Sequence, residues 1–231
     1  MPRLPRHEVT VFLALALCSV AGGALLVCRL IVTGATSFGF LPWNLLLAWV
    51  PFGAAATLRL LDHQDRLTRP RAALLVAMWF GFFPNAPYLV TDFVHLRPRP
   101  GEAPLWFDIG VLMIFAWTGL LLGFVSLDWV QQFLRARIGS VRSALIAIVV
   151  LGLSGYGIYL GRFARFNSWD LILRPIDIAR HLADVIVHPR SHPRTLAVTL
   201  LYGALLGGAY FTLLAFASQT REEPRCPHRT I

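Results

Sequence analysis

The chain has 231 residues, 56% of them hydrophobic and only 14% charged, well short of the quarter or so of charged residues in a soluble domain, which excludes an ordinary soluble fold. Its net charge of +9 comes entirely from arginine, since the 21 basic residues include no lysine. That excludes Schiff-base chemistry and a lysine general base. The arginines fall between apolar runs instead of forming one stripe with aromatic platforms, so nucleic acid is not an expected partner and anionic lipid headgroups are.

Six apolar runs, near 9–32, 38–58, 72–90, 105–127, 144–161 and 196–217, approach or exceed the roughly 20 residues that cross a hydrocarbon core about 30 Å thick. None alternates like a barrel strand, so backbone pairing within lipid requires helices. The expected fold is all-α: a polytopic membrane helix bundle of about six transmembrane helices, forming one integral-membrane domain over residues 1–231. A plasma membrane is the expected location. The first run follows Arg3 and Arg6 but extends for 24 residues to Val32, past the length of a signal-peptide core, and is expected to be retained. Cys18 and Cys28 lie within it and Cys226 lies in the tail, which is neither a disulfide framework nor a zinc site. No metal and no cofactor is expected. If the N-terminus is cytoplasmic, twelve arginines lie inside and nine outside, six of the nine between Arg162 and Arg194. The distribution predicts both termini cytoplasmic.

The third run contains "FFPNAPYLVTDFVHL". From Ala72 to Phe83 it holds 12 apolar residues, about 18 Å of helix, which does not cross alone. Pro84 and Pro87 each remove a donor and disfavour helical angles at Phe83 and Ala86. Two readings follow. Either the prolines make a kink satisfied by neighbouring helices, with Asn85 bonding a freed carbonyl, or they make a break that shapes a site. Beyond them Asp92 and His95 share a helical face. The spacing suits a carboxylate orienting an imidazole, and equally suits two polar residues at the bilayer surface. Asp108, the one charge in the fourth run, is a functional candidate by its position in a span, or else an acid neutralised by a nearby arginine, with Arg162 or Arg165 as the expected partner. Those arginines, which end the fifth run, could clamp a phosphate or carboxylate or pair with Asp92 and Asp108, and Asn167, Ser168 and Asp170 after them could join the anion site or cap the next helix. Glycines at 152, 155, 157 and 161, at 119 and 123, and at 203 and 207 suit close helix packing. "RPIDIARHLADVIVHPRSHP" then predicts an interfacial amphipathic helix near 175–188, too short and charged to span, with possible Asp177/His181 and Asp184/His188 pairs.

"FFPNAPYLVTDFVHL", "PLWFD" and "GIYLGRFARFNSWD", in that order, resemble an uncharacterised bacterial multi-pass membrane family, domain of unknown function 1361, over about Leu45 to Phe216. The resemblance implies that Asn85, Pro87, Tyr88, Asp92, His95, Asp108, Arg162, Arg165, Asn167, Trp169 and Asp170 are recurring positions. It transfers no catalytic role. Three functions stay open: a membrane protein binding an anionic lipid or lipid-linked headgroup through Asn85, Arg162, Arg165, Asn167 and Asp170; an enzyme acting on such a headgroup through Asp92, His95 and Asp108; and a small-solute transporter. Oligomeric state is not legible.

Overall fold

A computed structural model describes residues 6–98, 102–166 and 170–222. Its order is α1 (Arg6–Thr33), α2 (Leu41–His63), α3 (Arg69–Phe82), a short α4 (Asn85–Tyr88), a 3-10 segment (Leu89–His95), α5 (Leu105–Ile138), α6 (Ser140–Arg162), a short α7 (Asp170–Leu173), α8 (Pro175–Val187), a 3-10 turn (Pro189–Ser191) and α9 (Pro193–Glu222). The described residues contain no strand. The protein is an all-α polytopic bundle with six stretches long and apolar enough to cross a membrane: His7–Thr33, Leu41–His63, Arg69–His95, Leu105–Ile138, Ser140–Arg162 and Pro193–Ala217. It is an integral membrane protein.

The third and fourth spans are longer than composition suggested. α3, α4 and the 3-10 segment together form one 27-residue stretch. α5 runs 34 residues, about 51 Å, because its last three turns, polar at Asp128, Gln131, Gln132 and Arg135, still bury Trp129 and Val130. α5 is the central helix and packs on α1, α2, α4, the 3-10 segment and α6, while α6 packs on α9. Small residues make the close contacts. A Cβ on Gly119 would come within 2.5 Å of the Ala86 carbonyl oxygen, one on Gly157 within 2.8 Å of the Pro84 ring, and one on Gly203 within 3.3 Å of Gly152. With lipid as solvent, such close approach is the main source of helix association. Gly207 has nothing within 4 Å and takes no part.

Where α1, the 3-10 segment and α6 end and α5 begins, the bundle presents one face, hereafter the motif face. At the opposite end Arg59 joins buried Glu8 at 2.5 Å and Gln132 at 2.8 Å, and Gln132 in turn donates to Asp128.

Candidate functional site

The proline segment keeps a helical course. Phe83 stays right-handed helical (φ −53°, ψ −41°), as does Pro84 (φ −61°, ψ −20°), against the expectation that a following proline would drive Phe83 out of helical angles. The preference before proline is a bias, and packing outweighs it here. Pro84 seats on Gly157, and Ala86 on Gly119 and Gly123. Asn85 Nδ2 donates to the Phe82 carbonyl at 2.9 Å, and Tyr88 N–H reaches the Pro84 carbonyl at 3.1 Å. The chain then tightens into the 3-10 segment.

That tightening sets Asp92 and His95 side by side, because residues three apart eclipse in a 3-10 helix. Arg162, the last residue of α6, reaches into the pair. Its Nη2 donates to Asp92 Oδ1 and, at 2.7 Å, to Thr91 Oγ1; Nε donates to the same hydroxyl at 3.1 Å, and Nη1 to His95 Nε2 at 2.9 Å. Four of the five guanidinium N–H groups are thereby used. Since a guanidinium only donates, His95 Nε2 is the accepting nitrogen and its proton sits on Nδ1. Thr91 passes its own hydroxyl proton to the Tyr88 carbonyl at 2.7 Å, Asn44 Nδ2 donates to Asp92 Oδ2 at 3.1 Å, and the guanidinium carbon lies 4.5 Å from the Tyr88 ring centroid. Asp92 is 1% exposed. Arg162 stands between Asp92 and His95, so the carboxylate does not orient the imidazole directly as the Asp-x-x-His spacing had suggested.

Asp108 belongs elsewhere. Its carboxylate takes Arg29 Nε at 2.7 Å and Nη2 at 3.2 Å, and Arg29 Nη2 also binds Glu102 at 2.6 Å, with Ser37 Oγ donating to Glu102 at 2.9 Å. The expected pairing of Asp108 with Arg162 or Arg165 is therefore corrected: α1 packs on α5 and delivers Arg29, fully buried, at the first turn of α5. Two aromatic rings connect the two networks. Arg29 lies over Phe38, Phe38 meets Phe40 edge-on, and Phe40 packs on the His95 ring at 4.7 Å.

Next to the Arg162 network a groove of about 350 Å³ runs between α2, α3, α4 and α6, with α8 over one end. Asn44, bonded to Asp92, and Tyr88, beside Arg162, stand where it meets that network; Asn85, Ser154 and Tyr156 are further polar lining residues, and Trp43, Leu47, Phe80, Val150 and Leu153 are apolar ones. Asp92, His95, Asp108 and Arg162 do not line it. Arg165 is exposed, has left-handed backbone (φ 60°) and makes no side-chain hydrogen bond or ion pair among the described residues; it precedes Phe166, which lines the groove. Asp170 opens α7, its carbonyl accepting Arg174 N–H at 2.7 Å. Asn167, Ser168 and Trp169 lie outside the described residues. No group of three metal-ligating side chains occurs among the described residues.

α8 occupies the predicted interfacial position, but its inward side is Ile178, His181, Leu182 and Val185. His181 pairs with the Tyr156 hydroxyl at 3.4 Å, not with Asp177. Asp184 meets His188 at 2.9 Å and His192 at 2.8 Å, and bonds from His192 and then His188 hold its carboxyl below the ordinary carboxylate range.

Arg29, Asn44, Thr91 and Glu102 were missed in the sequence. Arg29 was detectable, being the one charge between Glu8 and Thr33, by the same reasoning that singled out Asp108.

The family model described as "Protein of unknown function (DUF1361)" matches residues 43–207. The chain belongs to this family. No curated protein and no solved structure matches it. The hydrogen-bonding residues of the Arg162 network, from Asn44 to Arg162, all fall within the DUF1361 region, whereas Arg29 and Ser37 precede it.

Proposed function

We propose that the protein binds the headgroup of an anionic lipid or lipid-linked molecule at the motif face, which lies outside the cytoplasm, with both termini inside. The observation that carries this reading is the groove: mostly apolar along its length, with Asn44 and Tyr88 both lining it and touching the Arg162 network, through Asp92 and the guanidinium respectively. Mostly apolar walls with a few convergent polar groups are the usual form of a small-ligand site. Charge favours an anion. The Arg162 network is formally neutral, while Arg165, next in the chain to the lining residue Phe166, is exposed, as are Arg174, Arg180, Arg190 and Arg194. Arg162 positions the floor under Tyr88, and Arg165 meets the ligand.

A catalytic reading is less well supported, because Arg162 occupies the accepting nitrogen of His95 and Arg29 holds Asp108. A transporter reading is less well supported too: such sites are commonly built from paired discontinuous helices, and the third span keeps helical dihedrals through the prolines.

The test is lipid retention. Protein extracted into detergent and mixed with equal amounts of phosphatidylglycerol and phosphatidylcholine should retain the anionic lipid in native mass spectra. Arg165→Gln and Asn85→Leu should each reduce that preference. Equal retention of both lipids by the wild type would refute the reading.

A further inference from the structure

Resting on that reading and extending it to the substrate class, we infer that the ligand is a lipid whose hydrocarbon chain lies in the groove, entering sideways from one leaflet between α2 and α6. The groove's position carries the inference. Along α6 its lining runs from Gly161 to Val150, about 16 Å of helix, which is one leaflet's share of a hydrocarbon core about 30 Å thick. It starts at the motif face, beside the last turn of α6, and ends in mid-span.

The rim faces lipid. Trp43 is 56%, Phe80 44% and Leu153 38% exposed, and all three lie within membrane-crossing stretches. α2 and α6 flank α4 without a substantial interface between them, so the slot is open along its side. α8 places Ile178 and Leu182 over the motif-face end, which screens that end from water. The glycines explain why a slot exists at all. Gly157 and Gly161 let Pro84 and Tyr88 approach α6 closely, leaving a channel beside the contact. A water-soluble anion has no use for a slot of this depth whose lining is mostly apolar, whereas a hydrocarbon chain covers chiefly apolar side chains there, and Ser154 already spends its hydroxyl on the Val150 carbonyl.

The experiment uses the full chain in detergent with three probes: a single-chain lysophosphatidic acid carrying a photoreactive diazirine on its chain, the matching lysophosphatidylcholine, and glycerol phosphate. The expected result is chain crosslinks at Leu47 and along Val150 to Leu153, with little binding of glycerol phosphate. Each buried methylene contributes about fourfold to affinity, so Leu47→Trp or Leu153→Trp, by displacing about two methylenes, should weaken lysophosphatidic acid about fifteenfold. Leu13→Trp, on the exposed side of α1, should leave binding unchanged and serves as the control for the added ring.

Glycerol phosphate binding as tightly as the lipid would overturn the chain slot and leave the headgroup reading standing. Crosslinks in the slot with equal affinity for both lysolipids would support the slot and overturn the anionic headgroup. Crosslinks scattered over α1 and α9, with no effect of either tryptophan in the slot, would mean an annular lipid only and overturn the inference.

Discussion

Removing the Arg162 side chain should damage the protein more than removing the charge it pairs with. In Arg162→Gln, Asp92 stays 1% exposed and keeps only Asn44 as a side-chain partner, since the contacts from Nη2 are lost. An uncompensated buried charge costs about 3–5 kcal/mol. In Asp92→Asn, Arg162 still donates to Thr91 and His95, and an amide can keep one bond, so the loss should be about 1–3 kcal/mol. For a chain of this size the larger loss corresponds to a fall of roughly 10 °C in the unfolding midpoint. The double variant should recover part of it, with a coupling of about 1–3 kcal/mol, because the orphaned carboxylate is gone. Thermal unfolding of the four proteins in one detergent, followed by tryptophan fluorescence, measures the cycle. Losses that add to within about 0.5 kcal/mol, or Asp92→Asn proving the more harmful, would refute the reasoning.

Arg29→Gln should likewise lower the midpoint strongly, since it leaves Asp108 and Glu102 facing one another, and Asp108→Asn should recover part of that loss, while Asp108→Asn combined with Arg165→Gln should show no coupling. The Asp184 carboxyl is depressed in the fold, so its contribution is complete above the ordinary carboxylate value of about 3.9 and is lost as pH falls through its lower folded value; the midpoint difference between wild type and Asp184→Asn should be present at about pH 5 and shrink below about pH 4. A membrane-impermeant thiol reagent should miss Cys226 in intact cells and label it in inverted vesicles, in a Cys18→Ser/Cys28→Ser background; labelling in intact cells would place the motif face in the cytoplasm.

The spans were legible because lipid imposes one rule on every residue within it, and run length reports that rule directly. Partners were legible chiefly where local geometry sets them, although the spans' shared face also offered Arg162 as a partner for Asp92, as the structure has it. Asp92 and His95 share a face by spacing alone, and Asp184 meets His188 one turn later. Asp108 failed because its partner is chosen by which helix packs on α5, and nothing in the sequence says that α1 rather than α6 brings the arginine. The end of α5 failed for a related reason: an amphipathic extension and a loop have similar composition, and buried Trp129 and Val130 decide between them. α8 shows where spacing misleads, since His181 was expected beside Asp177 and turns inward instead. Its inward side includes His181, because Tyr156 and Tyr159 offer that ring a partner and two edge contacts.

The two prolines place the site more by changing helical pitch than by breaking the span. In an α-helix residues three apart share a face but are offset by about 60°, so a single guanidinium would reach Asp92 and His95 less evenly. In the 3-10 geometry they eclipse, and one arginine from α6 satisfies both, with Thr91 completing the set. Pro87, lacking an N–H, cannot close an α-helical turn onto Phe83, which makes α4 the point at which the pitch can change. The same short segment carries the groove: Asn85 and Tyr88 face it, while Gly119, Gly123, Gly157 and Gly161 press α4 from both sides. Tyr88 is the shared element, with one side turned to the groove and its ring 4.5 Å from the Arg162 guanidinium carbon. On the proposed reading, a ligand seated against Tyr88 would bear on the residue that the Arg162 network holds in place, so binding in the groove and the integrity of that network would be energetically linked.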